Sequence, residues 1–279
     1  MGAAIATRLA SVGHEMMVWN RSADKARKLG LPVAETPQAL ANASEVVISV
    51  LTDARAVEAV YSELIAGNVA GKLFIEMSTV RPQSQKALAQ KVRGKNAAFV
   101  ECPVGGTVGP AKEGKLFGFV GGEPADVARA RPILDQLCRR IEHVGPVGAG
   151  ASMKLAINLP LLVYWQALGE ALALCKPLGL DPQRLMDIFA DTSGGPNVLK
   201  VRGPAIAQAL AGKEPSGTAF DVDSVRKDLR TMIEEASSLG GTLPVAERAL
   251  RCYDEAAREG LGAKDQALLP ANWLKRFDL

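Results

Sequence analysis

A change of texture near residue 147 restricts the fold of this chain more than any other feature. Before it, short apolar runs alternate with amphipathic stretches; after it, helical stretches follow one another with no strand pattern between them. The strand-like runs are 14–19, 45–51, 72–76, 97–101, 116–120 and 140–144. The run 45–51 (EVVISVL) is apolar enough to be buried on both faces. Between the strands, helical spacing covers 2–13 (Ile5, Leu9, Val12, stopped by Gly13), 23–29 behind a Ser22 cap, 54–65, 81–93 and 124–138. This alternation predicts an α/β domain with a doubly wound, mainly parallel sheet covered on both sides. From residue 147 onward, helices are expected over 151–178, 181–190, 221–239 and 243–258, with Asp181-Pro182 as one helix start. The second domain is therefore expected to be all-α. The glycine-rich stretch 145–150 sets the boundary, giving domains 1–148 and 149–279.

Composition removes several partners. The 33 basic and 30 acidic residues leave a net charge of +3 with no dense basic stripe, so nucleic acid is not expected. Cys102, Cys138, Cys175 and Cys252 stand singly, far from His14 and His143, so neither a metal site nor a disulfide framework is expected. Residues 155–175 have the length of a membrane span but contain Asn158, Pro160, Gln166 and Glu170. They are expected to form a buried helix crossing the protein, not a membrane. No basic and then apolar leader opens the chain, and a cytoplasmic protein is expected.

Lys154 and Asn158, four apart in 148–158 (GAGASMKLAIN), put an ammonium and an amide on one face of an apolar helix. Such a lysine either snorkels to water or serves a polar pocket, and the pair alone leaves both open. A dinucleotide-binding sheet opens with a strand and G-x-G-x-x-G, leading into a helix whose N-terminus takes the diphosphate. Here the chain opens Met1-Gly2. If Gly2 is the last of those glycines, the first strand and the other two glycines lie before residue 1, and a mis-set start is expected. Otherwise 2–13 is simply an N-terminal helix. At the end of the second strand, where a carboxylate ordinarily takes the ribose hydroxyls of NAD, stand Asn20, Arg21 and Ser22. A guanidinium and a hydroxyl suit a 2′-phosphate, which favours NADP with NAD possible. The plainer alternative is a solvated turn arginine beside a helix-cap serine.

These pieces together are similar to the β-hydroxyacid dehydrogenase family, which includes 3-hydroxyisobutyrate dehydrogenases and tartronate, succinic semialdehyde and glyoxylate reductases. The resemblance covers nearly the whole chain. It is carried by Met1-Gly2, Asn20 to Ser22, 49–51 (SVL), 77–80 (MSTV), 101–106 (ECPVGG) with Gly109 and Gly114, 120–122 (VGG), 148–158, and Phe220 with 226–229 (RKDL). It implies a Rossmann-type domain followed by an all-α domain for substrate and assembly. It also implies that Lys154 exchanges a proton with the reacting oxygen while hydride passes to or from nicotinamide. By the same resemblance Ser78, Gly105, Gly106 and Asn158 surround the substrate, and Gly2, Asn20, Arg21, Ser22, Leu51, Thr79 and Lys227 face the cofactor. Each has a plain alternative. Ser78-Thr79 would cap the helix begun by Pro82, Gly105-Gly106 would be a tight turn, and Lys227 would pair with Asp223.

Two positions depart from the family pattern: Gly105 stands where a serine is usual, and Leu159 where a second asparagine is usual. The standard substrate is thereby in doubt, and a bulkier or less acidic aldehyde, or an imine, comes into view. Imine reductases of similar architecture commonly carry an acidic or aromatic side chain at the lysine position, so Lys154 favours carbonyl chemistry. The expected function is an NADP-dependent oxidoreductase acting on a small hydroxy acid or semialdehyde. The alternatives are an imine reductase-like enzyme or a catalytically silent cofactor-binding or assembly protein. The apolar excess after residue 151 is expected to be covered in a homodimer or homotetramer.

Overall fold

The structure is a computed structural model describing residues 1–215 and 217–276, divided into two compact units, Met1–Ala156 and Ile157–Leu279. In the first unit the order is α1 (Gly2–Ser11), α2 (Ala23–Arg27), α3 (Pro37–Ala43), β1 (Val46–Ser49), α4 (Ala54–Leu64), β2 (Leu73–Glu76), α5 (Pro82–Arg93), β3 (Ala98–Glu101), β4 (Val104–Gly105), α6 (Val108–Lys112), β5 (Leu116–Gly122), α7 (Pro124–Leu137) and β6 (Cys138–Gly145). Then α8 (Ala149–Leu174) begins, followed in the second unit by α9 (Pro182–Ala190), α10 (Asn197–Leu210), α11 (Val222–Ser238), α12 (Pro244–Ala256) and α13 (Leu269–Leu274).

β1, β2 and β3 run parallel and in register, Val46 beside Leu73 and Leu73 beside Ala98. β5 lies antiparallel to β3 and β4 and parallel to β6, so the sheet is mixed. β2 and β3 are buried along their whole length, as runs like LFIE and AFVE require when both faces are covered. On one face Ile5 and Leu9 of α1 and Leu134 and Leu137 of α7 pack against Ile75, Val100 and Val120. On the other, Tyr61 and Leu64 of α4 and Leu88 and Val92 of α5 pack against Val47, Phe74 and Phe99. This is a doubly wound arrangement of the Rossmann type.

Several expectations need correction. Residues 14–19 form no strand: Val18 makes one parallel bridge to Val33, its N–H donating to Pro32 at 2.8 Å and its carbonyl accepting from Ala34 at 2.9 Å. One bridged residue does not make a ladder. Helices α3, α6, α10 and α13 and the two-residue strand β4 lie outside the expected elements. In α3 the Thr36 side chain accepts from Ala39 N–H, a cap masked by the short length of the segment, and α10 lies behind the Gly194-Gly195-Pro196 punctuation. α8 stops at Leu174, and a 3₁₀ turn over Lys176–Leu178 follows, where Pro177 lacks an N–H to continue the ladder. The two units part after Ala156, within α8 and eight residues beyond the expected boundary at 148; Ala151 and Leu155 of α8, on the first unit's side, are buried.

In the second unit, Trp165, Leu168 and Leu172 of α8 pack with Met186 of α9 and Leu199 and Ile206 of α10. Tyr253 of α12 is fully buried and donates its hydroxyl to the Leu162 carbonyl at 2.7 Å. By length and composition α8 is apolar enough to cross a membrane. The helix expected to be buried is buried in part: Leu155, Leu162, Trp165, Leu168 and Leu172 are covered, whereas Met153, Ile157 and Leu174 are exposed. Replacing Phe99 with Ala, at the centre of the sheet, should cost about 3–5 kcal/mol in urea unfolding. The same truncation at the exposed Leu239 should stay within about 0.5 kcal/mol.

Candidate active site at the carboxyl ends of the strands

In an open α/β sheet, ligands bind outside the carboxyl ends of the strands. Here Ser49, Glu76 and Glu101 end β1, β2 and β3 in register and share the sheet face of Phe74 and Phe99. Ser49 Oγ is 2.9 Å from Tyr61 Oη, and Ser49 donates to Glu76 Oε1 at 3.5 Å. Gln85 of α5 donates to Glu76 Oε2, and Ser78 N–H to Glu76 Oε1 at 3.0 Å. Ser78 Oγ in turn accepts from Leu51 N–H at 2.8 Å. The loops following β1 and β2 are therefore tied to a buried carboxylate.

Burial pushes the Glu76 carboxyl above its ordinary range, opposed by hydrogen bonds from Ser78, Gln85 and Ser49. Burial likewise raises Tyr61, helped by the negative Glu76. Burial lifts Glu101 to about 7 against the pull of the Gly148, Gly150 and Ala151 amides, with Glu76 adding a smaller upward push.

After β3 the chain turns through Pro103 into β4. Gly106 has φ 121°, and a Cβ there would stand 2.9 Å from Leu116 Cδ2, so this turn requires glycine. A Cβ at Gly105 would lie 3.7 Å from both Phe117 and Phe119, whose rings stack with centroids 4.8 Å apart. At the start of α8, Glu101 Oε1 accepts from Gly148 N–H at 2.6 Å and Gly150 N–H at 2.9 Å. Lys154 follows one turn later with only 9% of its surface exposed. Asn158 stands a turn further along the same helix face.

Within the second unit, Asn158 Nδ2 donates to Asp228 Oδ2 at 3.5 Å, and the buried Asp228 forms an ion pair with Lys227. Asp223, the alternative partner for Lys227, pairs instead with Arg226 at 2.6 Å. At the other end of the chain, a Cβ on Gly2 would lie 3.6 Å from Val50 Cβ, so the first turn of α1 adjoins the loop carrying Leu51. Asn20 Oδ1 accepts from Ser22 N–H at 2.9 Å, forming an Asx turn beside the exposed Arg21. Ser22 occupies the N-cap position of α2, but its hydroxyl makes no capping bond, which leaves that oxygen's usual structural role unfilled.

Gly2, Leu51 and Ser78 are thus joined through adjacent loops, with the half-buried Thr79 next in the chain. Neither Ser78 nor Thr79 caps α5, whose N-cap position is Arg81. Ser78 faces inward, with its N–H spent on Glu76 and its oxygen on Leu51, so it shapes the loop from within. Sequence reasoning missed Glu76, Glu101 and Asp228. A signal was present for the first two, since a carboxylate ending a strand buried on both faces must find partners.

Because Glu101 binds a proton more tightly folded than unfolded, native stability falls as pH rises from about 4.5 to about 7. The melting temperature should decline across that window, and Glu101→Gln should flatten the decline. Equal slopes in the two proteins would show that Glu101 does not titrate there.

The family model described as the NAD binding domain of 6-phosphogluconate dehydrogenase matches residues 1–145. A second, the NAD-binding domain of NADP-dependent 3-hydroxyisobutyrate dehydrogenase, matches 148–271. A 3-hydroxyisobutyrate dehydrogenase of Pseudomonas aeruginosa is 32% identical, over 94% of this chain and 92% of its own length. Glyoxylate/succinic semialdehyde reductase 1 of Arabidopsis thaliana is 30% identical, over 95% and 92%. Among solved structures, the Mycobacterium tuberculosis 3-hydroxyisobutyrate dehydrogenase with L-serine superposes with a TM-score of 0.83 at 26% identity, covering 98% of this chain and 95% of its own. Matched along both units and aligned nearly end to end with these relatives, the chain belongs to the β-hydroxyacid dehydrogenase family of nicotinamide-dependent oxidoreductases acting on CH–OH groups.

Proposed function

We propose that this chain is an NADP-dependent enzyme interconverting a small hydroxy acid with its semialdehyde or oxo acid, with Lys154 exchanging the proton at the reacting oxygen. The observation that carries this is the almost complete burial of Lys154 one turn past the start of α8, which Glu101 at the carboxyl end of β3 holds, the end of the sheet where a dinucleotide fold takes its ligand. A bound nicotinamide supplies or accepts the hydride. In reduction the Lys154 ammonium polarises the carbonyl and protonates the developing alkoxide; in oxidation the neutral amine takes the hydroxyl proton. Gly105, Gly106 and Asn158 bound the substrate in this assignment, and Ser78 acts by holding its loop. Gly2, Leu51, Thr79 and Lys227 face the cofactor. Arg21 and Ser22 take a 2′-phosphate, supported by their exposure and by the absence of a carboxylate at 20–22. The relatives divide on this point, since one at 31% identity is an NAD-dependent L-serine dehydrogenase of Pseudomonas aeruginosa. With glycine at 105 beside the Phe117–Phe119 stack, one hydroxyl donor is lost and the wall is apolar, which favours a less acidic or bulkier aldehyde. The exposed Met153 and Ile157 of α8 support assembly as a homodimer or homotetramer.

Lys154→Ala should lower turnover by about 10²–10⁴-fold with NADPH affinity nearly unchanged. Unchanged turnover removes Lys154 from the mechanism, and failure to bind NADPH at millimolar concentration favours a silent scaffold. Arg21→Ala should weaken NADPH about tenfold or more, the loss of one charge-assisted hydrogen bond, while leaving NADH binding as it was. Equal effects on the two cofactors would remove the phosphate assignment. Solution scattering should give a mass of two or four chains, and a monomer would contradict the assembly.

A further inference from the structure

Lys154 takes its place from the helix that carries it, and the start of that helix is held by one carboxylate of the sheet. Glu101 is fully buried, and its Oε1 accepts from Gly148 and Gly150 N–H at 2.6 and 2.9 Å, with Ala151 N–H contributing a third bond. These are the amides a helix start leaves without partners, at the end whose dipole favours an anion. The residues leading into α8, Gly145 to Gly148, include no hydroxyl or carboxylate that would cap it locally.

Two glycines make room for the contact. A Cβ at Gly150 would collide with the Phe119 carbonyl, and one at Gly121 would come within 3.0 Å of Glu101 Cδ and 2.9 Å of the Pro146 carbonyl. Glu101 Oε2 has no hydrogen-bond partner among the described residues. Across the sheet, Glu76 stands beside Glu101 in register and holds Ser78, so one polar seam links the Leu51 loop, the Ser78 loop and the first turn of α8.

The geometry points to Glu101 as the positioning residue for Lys154, its ionised carboxylate fixing the height and rotation of the first turn of α8 so that the amine is held at the reacting oxygen. The inference rests on the assignment of Lys154 as the proton-exchanging group. Lys154 lies three residues past Ala151, a rise of about 4.5 Å, so slack in the first turn passes directly to the amine. A misplacement of about 1 Å is enough to cost about 10²-fold in rate. Protonation goes to Oε2, the oxygen without a hydrogen-bond partner, and weakens the Gly148 and Gly150 bonds to Oε1. The charged group acting on Glu101 is Glu76 from β2; the Cys102 thiol, next in the strand, lies on the opposite sheet face and feels the Glu101 charge from there, and Lys86 of α5 lies with its stem against Gly148. β5 presents Gly121, and the first turn of α8 presents only backbone. With the Glu101 carboxyl held near 7, the grip loosens on the acid side of neutrality.

The test compares the full wild-type chain with Glu101→Gln, Glu101→Asp and Lys154→Ala, measuring kcat, KM, NADPH affinity by fluorescence, the pH profile, and hydrogen exchange of the 148–155 segment. Glu101→Gln should lower kcat at least tenfold, leave NADPH affinity within threefold, and lose an acid limb of kcat that wild type shows near neutrality. In wild type, exchange of 148–155, corrected for the intrinsic rate, should be faster at pH 6 than at pH 8, and in Glu101→Gln it should be fast at both. A Glu101→Gln kcat within twofold of wild type with the limb retained overturns the inference. So does wild-type exchange that ignores pH, a result available even if Glu101→Gln does not fold. Glu101→Asp, which keeps the charge but shortens the reach, should fall between the two and retain the limb; a wild-type kcat for it counts against a positional role. Loss of turnover in Lys154→Ala with none in Glu101→Gln refutes the positioning alone, whereas full turnover in Lys154→Ala removes the catalytic assignment and the positioning with it.

Discussion

The carboxylate of Glu101, buried against the amides that open α8, is the contact on which the chemistry of this chain depends. Its energetics are unfavourable taken alone. Lifting a carboxyl from 4.5 to about 7 corresponds to about 3 kcal/mol against the charged form. An ordinary serine or aspartate cap, placed in the chain just before the helix, would contribute about 1 kcal/mol without burying a charge. Stability therefore does not account for a glutamate drawn from the sheet. What it achieves, and a local cap cannot, is to fix the helix relative to a particular strand.

Glu76 extends the same logic. Two carboxylates side by side on neighbouring strands repel one another, and both are deprived of water. They are tolerated because Ser49, Gln85, Ser78 and the Gly148 and Gly150 amides supply donors. The result is a polar layer above the aromatic core of Phe74 and Phe99, so that the loops closing the sheet are set by hydrogen bonds, which are directional, and not by apolar packing, which is adaptable.

Much of this was legible in the sequence. Period and punctuation located the strands of the first unit from residue 45 onward, except the two-residue β4, and the change to helices, because runs such as LFIE and AFVE have few alternatives to a covered sheet. The segment 14–19 misled, since β-propensity describes a half-buried pleated surface and says nothing about whether a neighbouring strand is available to pair with it. Helix α10 was hidden by the glycines and proline ahead of it, and α3 by its short length. Lys154, Asn158 and Lys227 were visible as polar residues in helical surroundings. Asp228 carries no signal beyond its place in the RKDL motif, although it is buried and accepts from Asn158 and pairs with Lys227. Distances between chain segments, such as the seating of Gly2 beside Val50, have no expression in local pattern.

The close fit around Glu101 also bears on how such a chain can change over time. Gly121 has no space for a methyl group while the acid is in place, Gly150 is closed to one by the Phe119 carbonyl, and the acid has no donors unless the helix start offers its backbone amides. None of the three can drift independently, so divergence at one must await compensation at the others. Substitutions here should combine non-additively, and related chains should exchange these positions as a set.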